Sequence, residues 1–263
     1  MKGPELLDFI NGSRLLGETV NSKLEPLEPL LHWKIFGVKP FLSLLLRLPF
    51  LGKKLLKIDW RVSERVVENN LLYTYLPLLG ADPLILDTGS AESMVPFELA
   101  SLGYRVVATD IREYPVSHPL LSFVPANIFT LPFKDGTFDL ACAISTVEHL
   151  GLPSWGIEEE PDGDKKGVAE IARCLKPGGL FYLTVPFGKK QVTWQRFYDW
   201  PALSGLVTGF ELVSRKFYGR TEAKYWRETE QETLEARDTA SARGVDGVAL
   251  LLLRKNRAPE GAS

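Results

Sequence analysis

The sequence predicts an α/β fold with a doubly wound, mostly parallel sheet, and three observations predict it. Short apolar runs without polar alternation recur at Leu84–Leu86, Tyr104–Thr109 and Phe138–Ser145, as in strands covered on both faces. Segments with apolar residues at helical spacing, such as Met94–Leu102, separate them. Glycines punctuate the joints, Gly89 after the first run and Gly103 where a helix C-cap belongs.

A chain of 263 residues suits one such domain with additions, because single cores stop growing at roughly 250–300 residues. Its 31 basic and 33 acidic residues nearly cancel, so no nucleic-acid partner is expected. Cys142 and Cys174 lie in apolar or helical surroundings; without a disulfide framework or a metal-spaced Cys/His cluster they suit a reducing, cytoplasmic interior, and no metal site is assigned.

The first residues, MKGPELLDFI, lack the long apolar core of a secretory signal. Residues 1–57 read as a helical N-terminal extension broken by Glu25, Pro26, Glu28 and Pro29. Within it, Val38 to Gly52 carries Lys39 and Arg47 and is shorter than the about 20 residues a membrane span needs. Lys34, Lys53, Lys54 and Lys57 flank this segment, so residues 38–57 suit peripheral membrane contact. The alternative is an amphipathic cap that packs on the main domain or on a second subunit of a homodimer.

The main domain is assigned to residues 58–255. From Asp59 a helix is expected with Val62, Val66, Tyr73 and Leu76 on one face. The first strand ends at Asp87, Ser90 and Ser93 are candidate N-caps, and the second strand ends at Asp110. Such a βαβ unit binds its ligand over the strand ends; Gly89 admits it close to backbone, and Asp110 is placed to accept hydrogen bonds from ribose hydroxyls. A nicotinamide-dinucleotide fingerprint fails, because Ala91 and Met94 stand where its further glycines belong.

A third strand is expected at Leu121–Val124 and a tight turn at Lys134-Asp135-Gly136. The fourth strand runs into Thr146, Val147, Glu148 and His149 at the carboxyl edge of the sheet. The acids at 158–164 read as a solvated face; a helix, Lys176-Pro177-Gly178-Gly179 and a fifth strand follow. Lys189, Lys190, Trp194, Gln195, Arg196, Tyr198 and Asp199 then gather on the same edge as candidate substrate contacts or as a packed crossover loop. Trp200–Thr208 reads as a helix, Phe210–Tyr218 and Gly247–Leu253 as strands, Thr221–Asp246 as a helix or mobile lid, and 256–263 as a disordered tail.

Four stretches together resemble the class I S-adenosylmethionine-dependent methyltransferases. Asp87 and Gly89 match the first motif, with Ala91 replacing its second glycine and Ser93 at its third small position. Asn127 with Leu131-Pro132-Phe133, then Val147-Glu148-His149, then Leu175-Lys176-Pro177-Gly178-Gly179 follow in the family's order, covering about Pro83 to Gly188. The resemblance implies a Rossmann-like, seven-stranded sheet whose last strand is antiparallel, and S-adenosylmethionine as cofactor. It places Asp87, Gly89, Ser90 and Ala91 at the cofactor's amino acid end, Asp110 and Ile111 at the ribose, Asn127 and Ile128 at the adenine, and Ser145 along the cleft.

The same resemblance offers His149 as a general base, with a reference pKa of about 6.5, and Glu148 as its orienter; the alternative is a structural histidine. The acceptor it implies is small or carrier-linked and polar. The form Gly89-x-x-Glu92-Ser93 is similar to that of bacterial enzymes acting on sugars and polysaccharides, which points to a sugar or glycan hydroxyl or amine. Ala91 and Asn127 keep open a non-catalytic binding or scaffold module.

Overall fold

The computed structural model describes residues 63–153, 159–221, 225–241 and 244–257. Expectations for the N-terminal extension and for positions 258–263 lie outside the described residues, as do Trp155 and Glu158. In chain order the main elements are α1 (Arg65–Tyr75), β1 (Leu84–Thr88), α2 (Val95–Ser101), β2 (Arg105–Asp110), β3 (Leu121–Pro125), β4 (Phe138–Ile144), α3 (Gly163–Cys174) and β5 (Leu175–Pro186). There follow the short strands β6 (Gln191–Val192) and β7 (Arg196–Phe197), then α4 (Trp200–Leu206), β8 (Phe210–Arg220), β9 (Trp226–Glu228), α5 (Gln231–Glu235), β10 (Ala240–Ser241), β11 (Gly244–Val245) and β12 (Gly247–Lys255).

The main sheet has the order β3-β2-β1-β4-β5-β12-β8-β9. Strands β1 to β5 are parallel, whereas β12 runs antiparallel to both β5 and β8. Alternate side chains feed two cores, as the two-residue strand period demands. Leu86, Ala141, Ala143 and Leu183 join Val168 and Ile171 of α3 and Leu203 of α4 on one face. Ile85, Leu140, Cys142 and Tyr182 join Leu72 of α1 and Val95 and Leu99 of α2 on the other. Each such side chain contributes about 1.5–3 kcal/mol by leaving water. Among the described residues, no helix is long and apolar enough to cross a membrane.

Four expectations need correction. The sheet has eight strands rather than seven, because Trp226–Glu228 adds a short antiparallel ribbon along β8. The buried face of α1 runs Glu68, Leu72, Leu76, while Val66 is exposed. Ser90 caps nothing; it opens a 3₁₀ turn (Ser90–Glu92), and α2 begins after Met94, without a side-chain cap. The described parts of Thr221–Asp246 pack instead of forming a lid: Leu234 and Thr239 are fully buried, and Thr239 donates to the Phe187 carbonyl at 2.9 Å.

Candidate functional site

Register brings the ends of the parallel strands level. Thr88 of β1 pairs with Thr109 of β2 and Ala143 of β4, and Ile144 of β4 pairs with Thr184 of β5. The residues just past these ends therefore share one edge, where open α/β sheets hold ligands.

After β1 the chain turns at Gly89, whose φ of 75° is left-handed. A Cβ there would lie 2.4 Å from Thr146 Oγ1, so glycine is required twice over. The turn is tied to the acids on either side of it. Ser90 Oγ donates to Asp87 Oδ2 at 2.7 Å, and Ala91 N–H donates to Asp110 Oδ2 at 2.9 Å. Burial pushes the Asp87 carboxyl up to about 7, against the opposing pull of Ser90 and Arg65. Asp87 thus braces the turn from beneath.

Asp110 Oδ1 accepts the Arg112 backbone N–H at 2.9 Å and its Nε–H at 3.3 Å. The same guanidinium reaches Glu92 Oε1 at 2.6 Å. Between them Ile111 is 47% exposed, an apolar surface beside a carboxylate. Asn127 is exposed, and its Oδ1 accepts the Phe129 N–H at 2.9 Å, so the amide oxygen already serves its own turn. Ile128 is half-buried close by.

The end of β4 is built on a residue absent from the sequence-based expectations. Ser145 has a φ of 45°, unusual for a residue with a Cβ. Its N–H donates to Thr184 Oγ1 at 3.0 Å and its Oγ donates to Glu68 Oε1 at 2.9 Å. Glu68, from α1, also meets Arg65 at 3.4 Å, and its backbone carbonyl accepts the Tyr182 hydroxyl at 2.7 Å. A glutamate four residues before Leu72 looks solvated, but that spacing puts it on the buried helical face.

The 3₁₀ turn Val147–His149 then presents Glu148 and His149. Glu148 is 1% exposed and its Oε2 has no hydrogen-bond partner. Burial holds its carboxyl well above the usual range, with neighbouring Glu68 adding to the effect. Burial also lowers His149 to about 4, partly opposed by the Trp194 backbone. His149 Nε2 and Glu148 Oε1 are 4.0 Å apart, an ion-pair distance, yet burial disfavours both charges. Near pH 7 the two therefore stand as a neutral imidazole beside a carboxylic acid.

The stretch after β5 divides. Trp194 stacks on His149, with ring centroids 5.2 Å apart. Arg196 Nη1 donates to the Leu150 carbonyl, the Tyr198 hydroxyl donates to Asp164, and Asp199 caps α4 through the Ala202 N–H. These last three are structural, and Lys189 and Lys190 are exposed.

The topology and this edge match known structures. A Burkholderia thailandensis 1,6-didemethyltoxoflavin-N1-methyltransferase, solved with S-adenosylhomocysteine, superimposes with a TM-score of 0.53 at 18% identity, over 78% of this chain and 82% of that one. By fold, the chain belongs to the class I S-adenosylmethionine-dependent methyltransferases. The cyclase SpnF shares the methyltransferase fold with a TM-score of 0.54 at 17% identity, over 72% of this chain and 80% of its own. In sequence, a probable S-adenosylmethionine-dependent methyltransferase of Mycolicibacterium smegmatis is 27% identical over 107 residues, 39% of this chain and 37% of the relative. The match therefore spans little more than a third of that relative's length. The family model described as Caenorhabditis protein of unknown function, DUF268, matches residues 124–245.

Proposed function

We propose that this protein transfers a methyl group from S-adenosylmethionine to a small or carrier-linked polar acceptor, a sugar or glycan hydroxyl or amine being the finer reading. A fold alone does not fix an activity, so the site must carry the proposal. The observation that carries it is the end of β2, where the Asp110 carboxylate adjoins the exposed side chain of Ile111 and is oriented by the Ala91 N–H. Those residues fit an adenosine: carboxylate for the ribose diol, apolar surface for the base.

The guanidinium of Arg112, 3.3 Å from Asp110 Oδ1, is the donor that ribose hydroxyls would displace. The Gly89–Ala91 turn and Ser145 would flank the amino acid end, and Asn127 with Ile128 the adenine. Asn127 offers its amide N–H₂ more readily than its engaged oxygen.

When bound, the cofactor supplies an electrophilic methyl group on a sulfonium, which leaves the protein to orient the acceptor and exclude water. The residues at the β4 end suit those tasks. For a hydroxyl acceptor, His149 Nδ1, buried and without a partner, is the atom to receive the proton. A neutral amine needs positioning alone.

Calorimetry with S-adenosylmethionine, S-adenosylhomocysteine and NAD tests the proposal. The two sulfur nucleosides should bind and NAD should not; NAD binding without them would end it. The second reading, a non-catalytic module, draws on the engagement of Asp110 and Asn127 by their own chain. It predicts binding of both sulfur nucleosides without turnover on any acceptor.

A further inference from the structure

We infer that the recess formed by Glu148, His149 and Trp194 takes an uncharged, hydroxyl-bearing ring, and that Glu148 and Trp194 set this specificity. The inference rests on the methyltransferase reading only in treating this recess as the acceptor side of the cleft.

Two observations carry it. The first is a pair of buried polar atoms on adjoining residues, Glu148 Oε2 and His149 Nδ1, that lack partners within the chain. Each orphaned group costs roughly 1–3 kcal/mol, which folded proteins seldom tolerate unless a ligand or water completes the bond. The second is Trp194, which is 57% exposed while its ring stacks on His149 at an interplanar angle of 24°. An indole with an accessible surface beside buried polar atoms suits a ring that has an apolar face and a polar rim. Gln195, next in the chain, also buries an unpartnered amide nitrogen.

The electrostatics select against charge. Glu148 is held as an acid and His149 as a neutral imidazole, so the recess offers dipoles and no fixed ion. A hydroxyl both donates and accepts, matching a carboxylic acid and an imidazole nitrogen without ionising either. An ammonium or a carboxylate would have to lose its water with no permanent counter-charge waiting.

The test uses the full chain and saturation-transfer NMR with three ring probes, methyl β-glucoside, cyclohexylamine and cyclohexanecarboxylate, with and without S-adenosylhomocysteine. The glucoside should bind at least tenfold more tightly than either charged ring. Trp194→Ala and Glu148→Leu should each weaken it about tenfold or more, Glu148→Gln should keep it within a few-fold, and S-adenosylhomocysteine affinity should change less than twofold. Because Trp194 is largely exposed, its substitution spares the fold and isolates the recess. Tighter binding of a charged ring, no binding of the glucoside, or equal glucoside affinity in wild type and Trp194→Ala would overturn the inference. Glucoside binding in a chain that ignores S-adenosylhomocysteine would instead uphold the recess and defeat the methyltransferase reading.

Discussion

Replacing Gly89 with alanine probes the corner on which the candidate site is built. At a φ of 75° a Cβ costs roughly 1–2 kcal/mol. That Cβ would also stand 2.4 Å from Thr146 Oγ1 and 2.5 Å from Thr146 Cγ2, so the threonine must move. Moving it gives up a hydroxyl contact shared between the Thr88 and Ile144 carbonyls, at 3.2 and 3.1 Å, worth roughly 0.5–1.5 kcal/mol. Stiffening the unfolded chain returns about 0.4–1 kcal/mol. The net loss is about 2 kcal/mol, a fall in Tm of roughly 4–8 °C for a domain of this size. A cycle with Thr146→Ala makes the reasoning specific, since that change removes both clashing atoms. Urea unfolding should show the double variant about 1 kcal/mol more stable than the sum of the singles. Additivity within about 0.5 kcal/mol would refute the proposed contact.

Other outcomes follow from the same edge. Asp110→Ala should weaken S-adenosylhomocysteine by about 1.5–3 kcal/mol in a folded protein, and unchanged affinity by calorimetry would misplace the ribose. Asp87 holds its proton up to about 7 when folded, against an ordinary value of 3.8. The folded state therefore binds more protons than the unfolded one across that window, and stability falls as pH rises from about 4 to about 7. Asp87→Asn should flatten part of that fall in urea midpoints at pH 4.5 and 7.5; buried Glu68 and Glu148 add slope of the same sign, and an unchanged slope would contradict the assignment. His149, lowered to about 4, contributes stability that is full above about 6.5 and lost as pH falls towards 4. Turnover of a hydroxyl acceptor should accordingly show no inflection near pH 6.5, whereas an inflection there that disappears in His149→Gln would mean the imidazole is far less buried in the working enzyme.

The strands were legible because Leu84–Leu86, Phe138–Ile144 and Gly247–Leu253 are apolar on both faces, which few other structures permit. The glycine turn and the acids closing β1 and β2 were legible for the same local reason: φ above zero and a strand terminus leave a signature in one or two residues. Glu68 was not, because charge masks its place on a buried face, and only the folded chain brings Ser145 and Tyr182 to it. Trp226–Glu228 escaped notice since a three-residue edge strand is defined by its partner rather than by its own pattern. The pairing of His149 with Trp194 spans forty-five positions and is set by the crossover after β5, about which a sequence period says nothing.

The position of β12 has a consequence for how the molecule is made. Because Gly247–Lys255 bridges β5 and β8, the two halves of the sheet meet only through the final strand described. While a ribosome is still translating, everything upstream has left the exit tunnel with two greasy flanks open, Phe181 and Leu183 on one, Phe217 on the other. The nascent polypeptide must wait for its late segment to wedge in, and during that interval it is a natural client for chaperones.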